Sequence, residues 1–140
     1  MKSKGIWKKN KAFTIKGEST GYEIVTSPQD DELEDFSARP MEILLNGIIG
    51  CMGASICNIM RHHMNKVEDF EIVADGIRAE VDPKYYTHID FYINIKGDIQ
   101  AKEIKRATKL SEEKYCSAIN SVKATTKYYI KLNDKDLEID

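Results

Sequence analysis

Cys51, Cys57 and Cys116 are the residues of this 140-residue chain with the widest chemical reach. A thiolate attacks electrophiles and a thiol hardly does, so reactivity rests on a lowered pKa. Cys51 is flanked by Gly50, Met52 and Gly53, which leave little bulk around its sulfur. Cys116 sits in SEEKYCSAINSV, a helical pattern opened by a Ser111 cap, with Glu112 and Glu113 in the first turn. The helix dipole there is expected to favour a thiolate at Cys116. Cys51, in mid-helix, needs another source of positive charge. Arg39 before it and Arg61 after it are the nearest. A disulfide requires the two Cα atoms to stand about 5.5 Å apart, which spacing alone does not establish. Two readings stay open: a redox pair, or two small core residues. Cys57 follows Cys51 by six positions, off its face at roughly 100° per residue. The pair has no zinc spacing, so it reads as filler.

Other groups are less specific. Glu42 is a carboxylate at the start of an apolar helix, where it complements the dipole or orients a group near Cys51. His62 and His63 close that helix as sequence neighbours that share no face, and His88 lies on the polar face of a strand. All three read as structural, and no metal site is expected.

The helix that must position Cys51 is PMEILLNGIIGCMGASICNIMRHHM, Pro40 to Met64. It is apolar nearly all round, the mark of a buried helix or a membrane span. Ile43 to Met60 carries no charge and just reaches spanning length. Asn46, Ser55, Asn58 and three glycines dilute it, and basic residues flank both ends, so a core helix is expected. Gly47, Gly50 and Gly53 each cost helix propensity, about 1 kcal/mol against Ala. Their recurrence predicts close packing on other backbone.

The remaining elements follow from periodicity. Residues 6–26 read as two or three strands with a turn over Lys16 to Gly21, and 27–38 as an acidic loop. Val67 to Val81 is a strand whose phase changes at Asp75–Gly76, which predicts a bulge or bend there. Ile89, Phe91, Ile93 and Ile95 alternate with polar residues in the next strand. Residues 99–110 form an amphipathic helix, Ser111 opens a further one, Thr126 to Leu132 is a last strand, and Asp134 to Asp140 is a charged tail.

Composition sets bounds. The length suits one domain. Lys and Arg number 21 against 23 Asp and Glu, which leaves no basic excess for nucleic acid. An odd, small number of cysteines and an N-terminus without a signal-peptide core predict a reducing, cytoplasmic setting. There a reactive cysteine pair is more often catalytic or sensing than structural.

ARPMEILLNGIIGC resembles the segment that precedes the first reactive cysteine of the OsmC/Ohr family, and LSEEKYCSAINSV resembles its second cysteine segment. The likeness spans about Ala38 to Leu132 and is nearest the OsmC-like branch; Ser117 stands where many members have Pro. The resemblance implies a single α+β domain over residues 1–140. Its long central helix would pack on curved antiparallel sheets, in an intertwined homodimer with two active sites at the interface. It implies a cysteine-based peroxidase that reduces organic or fatty-acid hydroperoxides, with Cys51 the nucleophile and Cys116 the resolving thiol. Glu42 matches the motif's carboxylate. Arg39 is the candidate for the family's catalytic arginine, because residues 1–38 contain none. The implied partners are a second copy, a small organic hydroperoxide and a dithiol reductant of lipoyl type, with no cofactor, no nucleic acid and no membrane. Ile48, Ile49, Met52 and Phe91 would help form the pocket for an alkyl chain. A thiol redox sensor or carrier, and a non-catalytic module for an apolar ligand, are the competing classes.

Overall fold

The computed structural model describes residues 1–29 and 37–139, so most of the acidic loop expected over 27–38 lies outside them. The chain divides into two compact units, Met1–Asn46 and Gly47–Asp140.

The first unit is a three-stranded antiparallel meander, β1 (Ser3–Lys9), β2 (Ala12–Gly17) and β3 (Glu23–Thr26), in that order. Asn10, with φ 50°, turns β1 into β2, and Trp7 Nε1 donates to its carbonyl at 2.8 Å. Gly21, at φ 72°, supplies the left-handed residue of the expected second turn. Every residue of β1 is exposed, Ile6 and Trp7 included. After β3, Ser27 N–H donates to Ala38 C=O and Ala38 N–H to Val25 C=O, which ties down the segment before the long helix.

That helix, α1 (Pro40–Ile59), starts at Pro40, where a missing N–H costs nothing. It is long and apolar enough to cross a membrane by length and composition. Ile48, Met52 and Ile56, one per turn, are fully buried. A Cβ on Gly53 would stand 3.7 Å from Ile72 Cδ1, so Gly53 lies against the next sheet. Gly47 and Gly50 meet no neighbour within 4 Å. The close packing on other backbone expected for the three glycines is therefore found at none of them; Gly53 meets only a side chain, at ordinary contact distance.

The second unit holds a four-stranded sheet in the order β4 (Val67–Arg78), β5 (Tyr86–Gly97), β6 (Thr125–Leu132) and β7 (Lys135–Leu137). Ile89, Phe91, Ile93 and Ile95 of β5 and Ile130 and Leu132 of β6 form its buried face. The sheet is mixed, which corrects the expected antiparallel one: β5 and β6 run parallel, Ile89 beside Thr126. The connection between them carries α2 (Ala101–Leu110), and a crossover of that length returns the chain in the same direction. The expected bulge at Asp75–Gly76 is absent; pairing runs unbroken from Asp69 to Ile77 and shifts at either end. The charged tail contains a strand, β7, turned back by Asn133 and Asp134 at positive φ. Gly97 ends β5 at φ 149°, with Asn133 bonding both its N–H and its C=O at 2.9 Å.

The segment that follows α2 departs most from its reading. Ser111 is not an N-cap. It continues the helix at φ −57°, ψ −52°. Ser111–Tyr115 is a π turn, Cys116 is extended at φ −81°, ψ 98°, and Ile119–Ser121 is a single 3₁₀ turn.

Candidate active site

Cys51 rides in the middle of α1, one position before buried Met52. Cys116 stands where the π turn gives way to extended chain. The second unit brings these two thiols within hydrogen-bonding reach of each other.

Their environments differ. Cys51 is half-buried. Its thiol is pushed below the ordinary value, first by the backbone N–H of Ala118, then by hydrogen bonds from Cys116 and from the backbone of Ser117, against an opposing effect of burial. Hydrogen bonds to a charged form favour it. Cys116 is fully buried. Burial, first, pushes its thiol up, and the negative charge and hydrogen bond of Cys51 add to that; Ile119 N–H, 3.5 Å from the sulfur, only partly offsets it. The pair is therefore polarised, with ionisation made easier at Cys51 and harder at Cys116.

This reverses the expected electrostatics. Cys116 gains no first-turn dipole, because no helix begins at Ser111. The donors that favour a thiolate belong to the chain just after Cys116 and act across the gap on Cys51. Ala118 is the residue that leads into the 3₁₀ turn, so its N–H is an end group without an intrahelical partner.

Arg39 and Glu42 belong to the first unit. Arg39 is half-buried, and its Nη1 donates to the carbonyls of Ser27 at 3.3 Å and Pro28 at 3.4 Å. Glu42 is exposed in the first turn of α1, where it complements the dipole. Cys57 is a half-buried free cysteine. Ile48, Met52 and Phe91, expected along an alkyl pocket, are sealed in the core at 0 % exposure and line no open surface. His88 has both ring nitrogens engaged, with Thr125 Oγ1 at 2.7 Å and Asp90 Oδ1 at 2.8 Å, in keeping with its structural reading. Among the described residues no group of three His, Cys, Asp or Glu is placed to hold a metal.

Sequence reasoning passed over a polar cluster beside Cys116. Thr126 Oγ1 donates to Glu112 Oε1. Asn120 Nδ2 donates to the carbonyls of Glu112 and Cys116, each at 2.8 Å, and Cys116 N–H donates to Ser111 C=O at 2.7 Å. The Tyr128 ring stacks on Phe91 with centroids 5.1 Å apart. The hydroxyl of Ser111 is buried, with no partner in hydrogen-bonding geometry. Glu112 reads in sequence as a helix-start carboxylate and Tyr128 as an inward strand residue.

Residues 26–131 match the family model described as OsmC-like protein. The chain is 33% identical over 107 residues to Protein YhfA of Escherichia coli strain K12, covering 75% of this chain and 78% of that protein. It is similar to the crystal structure of a hypothetical protein from Aquifex aeolicus, with a TM-score of 0.76 and 27% identity over 94% of this chain and 96% of that one. The organic hydroperoxide resistance protein OhrB of Bacillus subtilis shares the fold, with a TM-score of 0.64 at 11% identity over 95% and 98% of the two chains. With its two cysteine segments inside the matched region, this chain belongs to the OsmC-like protein family.

Proposed function

We propose that the protein is a thiol-dependent peroxidase acting on organic hydroperoxides, with Cys51 the attacking thiolate and Cys116 the thiol that resolves it. The observation that carries this reading is the polarised pair: a lowered pKa at the half-buried sulfur and a raised one at the sealed sulfur beside it. Cys51 thiolate attacks the distal oxygen of the hydroperoxide, forming an S–O bond as the O–O bond breaks. It becomes a sulfenic acid, and the alkoxide leaves with a proton as the alcohol. Cys116 then condenses with the sulfenic acid, releasing water and closing a disulfide before further oxidation. An external dithiol, of lipoyl type by family likeness, restores both thiols by exchange. The substrate class follows the organic hydroperoxide resistance proteins of like fold.

In this reading Arg39 supplies a cation to the departing oxygen and Glu42 orients it, after Arg39 leaves the carbonyls of Ser27 and Pro28. The protein works in the cytoplasm as an intertwined homodimer of single 140-residue domains. The exposed Ile6 and Trp7 of β1, and Leu44, Gly47 and Gly50 of α1, support that assembly as apolar or small surface that a second copy would cover. Light scattering at micromolar concentration should give twice the chain mass, and a monomer would overturn the assembly.

The decisive experiment measures consumption of cumene hydroperoxide with dihydrolipoamide. Wild type turns over. Cys51→Ser is inactive, and Cys116→Ser gives one turnover and accumulates sulfenic acid at Cys51. Unchanged turnover in Cys51→Ser would sink the proposal.

A further inference from the structure

Cys51 stands in mid-helix and draws its donors from a loop, so something must hold that loop in aim. The two backbone N–H groups that bond to it are those of Ala118 and Ser117. Each is one end of a planar trans peptide whose other end is a carbonyl that points the opposite way. The Ser117 N–H shares its plane with the Cys116 carbonyl, and the Ala118 N–H shares its plane with the Ser117 carbonyl. Whatever grips those two carbonyls therefore sets the direction of both N–H groups.

The chain between the π turn and the single 3₁₀ turn Ile119–Ser121 belongs to no helix or strand, so no regular ladder of backbone bonds does this. Two side chains of the 3₁₀ turn do, each reaching back four residues. Asn120 Nδ2 donates to the Cys116 carbonyl at 2.8 Å, and the Asn120 N–H adds a longer bond at 3.3 Å. Ser121 Oγ donates to the Ser117 carbonyl at 2.8 Å. Asn120 Nδ2 also donates to the Glu112 carbonyl at 2.8 Å, which anchors this grip on the π turn. Both partners of the amide are carbonyls, so its nitrogen rather than its oxygen faces them. The bonds bear on strength as well as direction. A peptide that accepts at its carbonyl is polarised, and its N–H becomes a better donor. Asn120 and Ser121 are themselves exposed, so neither contributes to the core.

We propose that Asn120 and Ser121 are positioning residues for the reactive site, which grip the 116–117 and 117–118 peptides at their carbonyls and so aim the N–H groups of Ser117 and Ala118 at the Cys51 sulfur. Both act through the backbone rather than on the sulfur. This role rests on the reading of Cys51 as the attacking sulfur, but not on peroxide as the oxidant.

The test uses the full chain in a Cys57→Ser background, with iodoacetamide as the probe. The alkylation rate of Cys51 is followed against pH, and peptide mapping reports adducts at Cys51 and at Cys116. Cys116 is the titratable group that faces Cys51, and no variant alters it. Every substitution is neutral, so no charge is added or lost. Asn120→Ala and Ser121→Ala should each move the Cys51 midpoint up by about half a pH unit, and the double variant by about one, because each loosens a donor without deleting it. Ser121→Thr keeps the hydroxyl and should titrate as wild type. Cys116 should stay unmodified throughout. A wild-type midpoint in the double variant would overturn the proposal. So would an upward shift that Ser121→Thr shares, or one that comes with alkylation of Cys116. In either case the loop has simply opened, and the two residues are structural. If the double variant fails to fold, the two single variants decide by the same midpoints. No peroxide enters, so loss of the peroxidase reading leaves this result standing. Failure of the grip, in turn, leaves the comparison of hydroperoxide consumption by wild type and Cys51→Ser unaffected.

Discussion

Ser117→Pro removes one of the backbone N–H groups that lower the pKa of the Cys51 thiol. The residue before it, Cys116, has φ −81° and ψ 98°, the extended conformation that a following proline requires. The substitution is therefore compatible with the local backbone, and it leaves the stronger donor, Ala118, in place. A hydrogen bond to a charged group is worth about 1.5–3 kcal/mol. At a half-buried, partly screened sulfur the low end applies, and about 1.4 kcal/mol is one pKa unit. The Cys51 pKa should rise by about one unit. Below it the thiolate fraction falls about tenfold, but a thiolate of higher pKa is about threefold more nucleophilic at a Brønsted slope near 0.4–0.5. Iodoacetamide alkylation of Cys51 at a fixed pH below the pKa of both forms should thus slow by only about threefold, and the alkaline plateau should rise by about threefold. The assay is alkylation rate against pH in a Cys57→Ser background, with the thermal midpoint as a fold control. An unchanged or lowered pKa in a folded variant would refute the assignment of the thiolate to backbone donors.

Gly97→Ala should be among the most damaging single changes. Its φ of 149° is nearly closed to other residues, and an added Cβ would lie 2.1 Å from the Lys66 carbonyl oxygen. We expect a loss of about 3 kcal/mol or more, read as a thermal midpoint about 10 °C lower. Gly76→Ala places its Cβ 2.4 Å from the Tyr86 ring, which is itself buried. Because that neighbour is a side chain that can shift, the cost should be smaller, about 1–3 kcal/mol by urea denaturation. Burial raises the Cys116 thiol above its usual value of 9.0, so the folded state keeps a proton that the unfolded chain gives up. That stability is complete below the usual value and is lost as pH rises through the folded value. Cys116→Ala should therefore flatten the alkaline fall of the urea midpoint. Under stoichiometric oxidant, peptide mapping should find Cys51 bridged to Cys116 and Cys57 free; a Cys51–Cys57 bridge would contradict the placement.

Local patterns in the sequence were sufficient for most elements. Period-two alternation from Ile89 to Ile95 marks β5, and Pro40 just ahead of the uncharged run from Ile43 marks α1, because each pattern is decided by near neighbours in the chain. The two cysteine segments also identify the family, since they keep their residue types whatever surrounds them. The sequence reading failed where a choice depended on distant partners. Ser111 looks like a cap, but the preceding helix continues through it as a π turn whose carbonyl receives the N–H of Cys116. β6 carries no mark of its direction, which depends on the crossover through α2. Residue types alone suggested that Cys116 would gain the dipole and that Cys51 would need an arginine. The fold instead directs the N–H groups of Ser117 and Ala118 onto Cys51 and seals Cys116 from water. A pKa depends on which donors and how much solvent surround a sulfur in space. Those are fixed only when α1 and the chain after the π turn are brought together, so the presence of two thiols was legible in sequence, and the opposite shifts of their pKa values were decided by tertiary structure.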